Sequence, residues 1–198
     1  MRKIIFLDID GVIATPESLN NGDWGLVHSK QLLLKEILDA HPEAELVISS
    51  SWRIGSVKET KEYMTEQGFL FSDKITGITI RAYHYIDKKE KIHLSIPRGV
   101  EIQQWIDTNI HSDNGKNFVK KQPGIDYNYI IIDDDSDMLL SQSNHFLQTS
   151  SDIGLTKEIV EKSIKKLNYR TFSKEDQEKI QELIRLLPVV LKKYLMEH

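Results

Sequence analysis

Three short apolar runs in this chain end the same way, and that repetition narrows the possible folds more than any other feature. Residues 3–7 (Lys-Ile-Ile-Phe-Leu) stop at Asp8-Ile-Asp10-Gly11, Leu46-Val-Ile48 stops at Ser49-Ser50-Ser51, and Tyr129-Ile-Ile-Ile132 stops at Asp133-Asp134-Asp135. Short runs rich in branched residues, with no polar alternation, are strands covered on both faces, as in a parallel sheet. Unpaired carboxylates are too costly to bury as packing, so the acids mark strand ends. In an open α/β sheet, ligands bind beyond the carboxyl ends of the strands. If the three strands are neighbours, their polar ends meet in one crevice.

Helical patterns fill the intervals. Residues 12–28, with Pro16, Asn20, Asn21, Gly22 and Gly25, read as a loop. Leu32, Leu33, Leu34, Ile37 and Leu38 give a helix over 29–40 that stops before Pro42. A polar helix follows over 56–67, closed by Gly68. Residues 69–80 hold short β-rich pieces, and 81–95 are mixed. Pro97-Arg98-Gly99 opens a helix through Ile102, Trp105 and Ile106, and 111–124 read as a loop. A weaker strand at 146–149 precedes a helix over 156–168. An amphipathic helix over 174–196, broken or kinked at Pro188, ends the chain. Strands alternating with helices argue an α/β fold with a parallel sheet. The 198 residues divide into one domain over 1–170 and a C-terminal helix over 171–198, packed on the domain or leading to a further region. Packing on the same chain, and hence a monomer, is the expectation.

The polar ends suit phosphate and a hard cation. Clustered carboxylates repel one another, and with only oxygen ligands on offer Mg²⁺ is the natural ion. The chain has no cysteine, which removes thiolate catalysis and cysteine-ligated metals. A net charge of −4 rules out a generally basic nucleic-acid coat. No apolar run approaches the ~18 residues that span a bilayer, and the first strand carries two aspartates, unlike a secretory leader; a cytoplasmic protein is expected. His28, His41, His111 and His145 form no recognisable pairing, and Trp52 and Trp105 read as core or interface aromatics.

Asp8-Ile-Asp10-Gly11-Val12 resembles the first motif of the haloacid dehalogenase-like (HAD) phosphohydrolases. The serine run resembles the second motif and Asp133-Asp134 the fourth, with Arg98 as the best candidate for the basic third and Lys91 as its competitor. Ile48-Ser-Ser-Ser-Trp-Arg53, Arg98-Gly-x-Glu-Ile102 and Gly154-Leu-Thr156 resemble, more narrowly, a capless subgroup found in bacterial and phage proteins, some of them linked to RNA repair. The resemblance covers roughly residues 3–168. It implies a three-layer Rossmann-like (HAD-like) parallel sheet with helices on both faces. It implies Asp8 as nucleophile, forming an aspartyl-phosphate, and Asp10 as general acid and base. Mg²⁺ would be held by Asp8, the carbonyl of Asp10 and Asp134, with Asp133 and Asp137 as direct or water-mediated supports. Ser49 and Ser50 would bind the phosphate; an alternative register uses Ser51 with Arg53. Arg98 would neutralise charge on Asp8 and the phosphate.

The stretches from Asp10 to Ile48 and from Arg53 to Arg98 each already hold a helix, and the remainder falls short of the ~50 residues of a minimal domain, so no separate cap is expected. An open site favours a phosphate displayed on a macromolecule. Residues 81–98 carry Arg81, Lys88, Lys89, Lys91 and Arg98, with Tyr83 and Tyr85 interleaved. That mixture suits a phosphotyrosyl peptide or a stacked base. With no basic stripe, a phosphoprotein is expected ahead of an RNA or DNA end. Two other readings stay open. One is a phosphate-binding module without turnover. The other is a receiver-like Mg²⁺ site, which has no need of Asp10.

Overall fold

A computed structural model describes residues 1–20, 25–81, 83–87, 92–110, 126–168 and 182. The chain runs β1 (Arg2–Leu7), α1 (Pro16–Asn20), α2 (His28–Ala40), β2 (Glu45–Ile48), α3 (Val57–Glu66), β3 (Ile75–Ile78), β4 (Tyr83–Asp87), β5 (Ile92–Ser95), α4 (Arg98–Asn109), β6 (Tyr127–Asp133), β7 (Phe146–Gln148) and α5 (Lys157–Asn168). Five of these strands make one sheet in the order β3-β2-β1-β6-β7, with every neighbouring pair parallel.

Ile4, Ile5, Phe6 and Leu7 of the central strand are fully buried, as a strand covered on both faces requires. Their alternation sorts them between two cores. Ile5 and Leu7 join Leu46, Ile48, Ile130 and Ile132 beneath α2, α3 and α5. Ile4 and Phe6 join Val47, Tyr129 and Ile131 beneath α4. Helices therefore lie on both faces of the sheet, giving the three-layer α/β architecture. The α4 face is sealed by Trp105, whose ring meets Phe6 edge-on at 5.4 Å and 85°. A Cβ at Gly77 would stand 2.9 Å from that indole, so the strand facing it has no room for a side chain.

The chain builds outward through β2 and β3, then returns beyond β1 to add β6 and β7. The order reverses between β1 and β6, and such a switch point opens a crevice at the strand ends. The pairing Leu7↔Ile132 sets Asp8 beside Asp133 there.

Two expectations change. Residues 12–28 are not loop throughout: α1 occupies part of them, and the turn after β1 is tightened by Val12, Ile13 and Ala14, whose N–H groups all donate to the Ile9 carbonyl. The mixed segment 81–95 contains an antiparallel hairpin, β4 with β5, paired apart from the main sheet. Apart from residue 182, the C-terminal unit over 171–198 lies outside the described residues, as do Lys88, Lys89 and Lys91. Among the described residues, no helix is long and apolar enough to cross a membrane.

Candidate active site

Each strand end delivers its polar residue into the crevice because the sheet's hydrogen bonding continues one step past the strands. The Asp8 N–H donates to the Ile132 carbonyl (3.0 Å), the Ser49 N–H to Leu7 (2.9 Å) and the Thr149 N–H to Asp133 (3.0 Å). Asp8 and Asp133 are buried and Asp134 is half-buried, and one carboxylate oxygen from each lies within 4.8 Å of the others. The turn that permits this passes through Gly11 at φ +66, where a Cβ would fall 2.3 Å from the Asp134 carboxyl carbon. The Thr149 hydroxyl donates to the Gly11 carbonyl (2.8 Å) and Gln148 Nε2 to the Asp134 carbonyl (2.9 Å), so β7 braces both acidic turns.

Electrostatically, the cluster is loaded. Burial pushes the Asp8 carboxyl up, against the pull of the Ser50 hydroxyl, the Arg98 charge and the Ile9 N–H that donates to it at 2.8 Å. Asp133 is raised by burial first and by the charge of Asp8 second, and Asp134 is raised by burial and by Asp135 and Asp10. The Arg98 side chain, only 19% exposed, places Nε 3.7 Å from Asp133 Oδ2. That distance is ion-pair contact rather than a hydrogen bond. Oδ1 of Asp133 accepts the Asp135 N–H at 3.0 Å, while Oδ2 is buried with no hydrogen-bond partner among the described residues.

Asp10 stands outside this trio and is exposed. The Ser51 hydroxyl donates to its Oδ2 and the Trp52 indole N–H to its Oδ1, both at 2.8 Å. Of the serines, Ser50 is the one whose hydroxyl meets Asp8; it also accepts the Trp52 N–H at 3.3 Å. The Ser49 hydroxyl is buried without a partner among the described residues. Arg53, the phosphate contact of the alternative register, is buried and turned largely to the protein, its Nε left without a partner among the described residues. Its Nη1 donates to the Ser50 carbonyl (2.6 Å), and Nη2 to the Ile80 carbonyl (2.9 Å) and to Glu101 (2.6 Å). Asp137 faces α4, accepting the Arg98 N–H at 2.8 Å. It caps a helix whose own N-cap, Pro97, offers no side chain for the purpose.

A family model for the HAD domain in Swiss Army Knife RNA repair proteins matches residues 4–160. The chain belongs to this HAD family. No curated protein and no solved structure matches it. The matched span opens in β1 and closes in α5, so it takes in every acid, serine and arginine of the crevice. Membership gives the domain hydrolase chemistry of the phosphatase kind in its broad form, and HAD domains generally use Mg²⁺.

The residues of this HAD domain fit such an ion. Three carboxylates converge, the donor set is all oxygen, and Asp133 Oδ2 is a buried acceptor that no donor among the described residues satisfies. Three features escaped the sequence reading. Trp52, read as a packing aromatic, donates from its indole to Asp10. Glu101, one turn into α4, is a buried charge paired with Arg53 and lying 3.9 Å from Arg98. Arg81 donates to the Ser51 carbonyl at 2.6 Å. The spacing Arg98-x-x-Glu101 on one helix face held a hint of the second; Trp52 stood in the serine motif and Arg81 in the basic segment, but nothing in the sequence indicated these contacts.

Proposed function

We propose that this HAD domain is a Mg²⁺-dependent phosphomonoesterase that works through an aspartyl-phosphate on Asp8 and acts on a phosphorylated macromolecule, an RNA end ahead of a phosphoprotein. The observation that carries the reading is the Leu7↔Ile132 register, which sets the Asp8 carboxylate in the same crevice as Asp133 and Asp134 and against Ser50. Bound Mg²⁺, held by Asp8, Asp134 and Asp133, would offset the repulsion between these carboxylates and an incoming phosphate. The Asp8 carboxylate attacks phosphorus in line, forming one P–O bond as the bond to the leaving oxygen breaks. Asp10 gives that oxygen its proton. A water then attacks the aspartyl-phosphate, Asp10 takes a proton from it, and inorganic phosphate leaves with Asp8 restored. The Ser50 hydroxyl and the Arg98 guanidinium bind the phosphate oxygens.

The family's description among RNA repair proteins supports a polynucleotide end and reverses the order expected from the sequence. The aromatic and basic segment at 81–98 is compatible with either substrate. The test is phosphate release in Mg²⁺ from a 3′-phosphorylated oligoribonucleotide, a phosphotyrosyl peptide and a phosphoseryl peptide, by wild type and Asp8→Asn. Fastest release from the oligoribonucleotide, abolished by EDTA and by Asp8→Asn, is expected. Full activity in Asp8→Asn would remove the nucleophile. Tight phosphate binding without release would make the domain a binding module. Preference for either peptide would return the substrate to a phosphoprotein.

A further inference from the structure

Asp10 is held more closely than an exposed turn residue requires. Each of its oxygens accepts a 2.8 Å hydrogen bond, from the Ser51 hydroxyl and from the Trp52 indole, and both donors come from the loop after β2. That loop is itself tied down: Arg81 donates to the Ser51 carbonyl, Arg53 to the Ser50 carbonyl, and the Trp52 ring lies 6.0 Å from Tyr63 of α3 while packing against the main core. Two hydrogen bonds in fixed directions settle both torsions of a short side chain.

We propose that Ser51 and Trp52 are positioning residues for the proton transfer at Asp10, so that the loop binding the phosphate also aims the acid at the leaving oxygen. This rests on the phosphatase reading above. The two donors are not equivalent. An indole N–H can only donate, so Oδ1 remains an acceptor throughout the cycle. A hydroxyl can donate or accept, so Oδ2 is the oxygen able to carry the proton without losing its partner. Positioned proton transfer contributes on the order of 10²–10⁴-fold to a rate, and misplacing the group forfeits part of that.

The dependence on leaving group separates this role from a structural one. An alkoxide leaving from ribose needs the proton, whereas a nitrophenolate departs well without it. The variants are Trp52→Phe, which keeps an aromatic ring against the core but removes the N–H together with some packing, and Ser51→Ala, at an exposed position outside the core, which removes the hydroxyl without a packing loss. With a 3′-phosphorylated oligoribonucleotide, kcat/KM is expected to fall roughly tenfold or more in each variant. With p-nitrophenyl phosphate the fall is expected to stay within about threefold, and phosphate inhibition to be unchanged. Equal losses on both substrates in Ser51→Ala, or no loss on the oligoribonucleotide in either variant, would overturn the positioning role while leaving the phosphatase intact. Wild type inactive on both substrates would instead remove the underlying reading.

Discussion

Gly11 joins the two acidic turns, and a single atom added there tests both. Its φ of +66 is a conformation that L side chains adopt at a cost of roughly 1–2 kcal/mol, and the new Cβ would stand 2.3 Å from the Asp134 carboxyl carbon. Gly11→Ala is therefore expected to destabilise the domain and to push Asp134 out of the trio. A calorimetric Mg²⁺ titration should show weakened binding beyond the fall in stability. Gly68→Ala is the control, because Gly68 also has positive φ (+84) but faces open space. It should lose a similar amount of stability and keep its Mg²⁺ affinity; equal affinities in both variants would mean that displacing Asp134 costs the ion nothing, so that Asp134 is not one of its ligands. At this scale the sequence revealed the acids well. A strand that ends in Asp8 or Asp133 says so by the change from apolar to charged, since an unpaired carboxylate cannot continue into a core. Which serine meets Asp8 was not legible, because that depends on strand alternation and a one-residue shift reverses it.

Between elements, the contact to probe is Arg53 with Glu101. The side chains are 4% and 5% exposed, 2.6 Å apart, and they tie the loop after β2 to the first turn of α4, where Arg98 begins. Removing one partner of a buried ion pair strands the other charge, at a typical cost of 3–5 kcal/mol, while replacing both with apolar residues of similar size is often neutral. Glu101→Leu or Arg53→Met alone should thus unfold at markedly lower denaturant, and the double variant should recover most of the difference. Additive losses in that double-mutant cycle would mean that the pair is not coupled. The recovered double variant should still lose activity, since Arg53 also holds the Ser50 carbonyl. Neither residue announced this role. A charge near the start of a helix ordinarily reads as solvated, and only the fold brings position 53 to position 101. The main strands and helices were legible because each carries its own periodicity, to which α3 adds its Ser56–Glu59 capping box. The short α1 and the β4–β5 hairpin were not, since elements of that size are decided by tertiary contacts.

For the whole molecule, the acidic crevice couples folding to pH and, on the proposed reading, to metal. Burial pushes Asp8 up to about 6, and burial with the charge of Asp8 pushes Asp133 up to about 8, so the folded chain keeps protons that the unfolded chain releases near pH 4. Where the native state binds more protons, stability falls as pH rises. The contribution is complete below the unfolded carboxyl value and is lost through the folded one. Glu43, Glu45, Glu59 and Glu158, all lowered by hydrogen bonds, have finished contributing well below neutrality. His145, kept neutral by burial and stacked on Tyr129 at 4.0 Å, favours higher pH, but its effect ends near its ordinary value. Between about pH 7 and 9, Asp133 therefore dominates among the described residues: in EDTA the Tm should decline across that window, and Asp133→Asn should flatten the decline. A Mg²⁺ ion bound there would take the place of the protons, so the rise in Tm that it produces should grow with pH and shrink in Asp133→Asn. A metal-free Tm that stays level from pH 7 to 9, with an equal gain from Mg²⁺ at both ends, would mean that these carboxyls do not form the ion's site. The charges that destabilise the empty crevice are those that would bind the cation, so a domain made more stable without metal by neutralising Asp133 should be a poorer phosphatase.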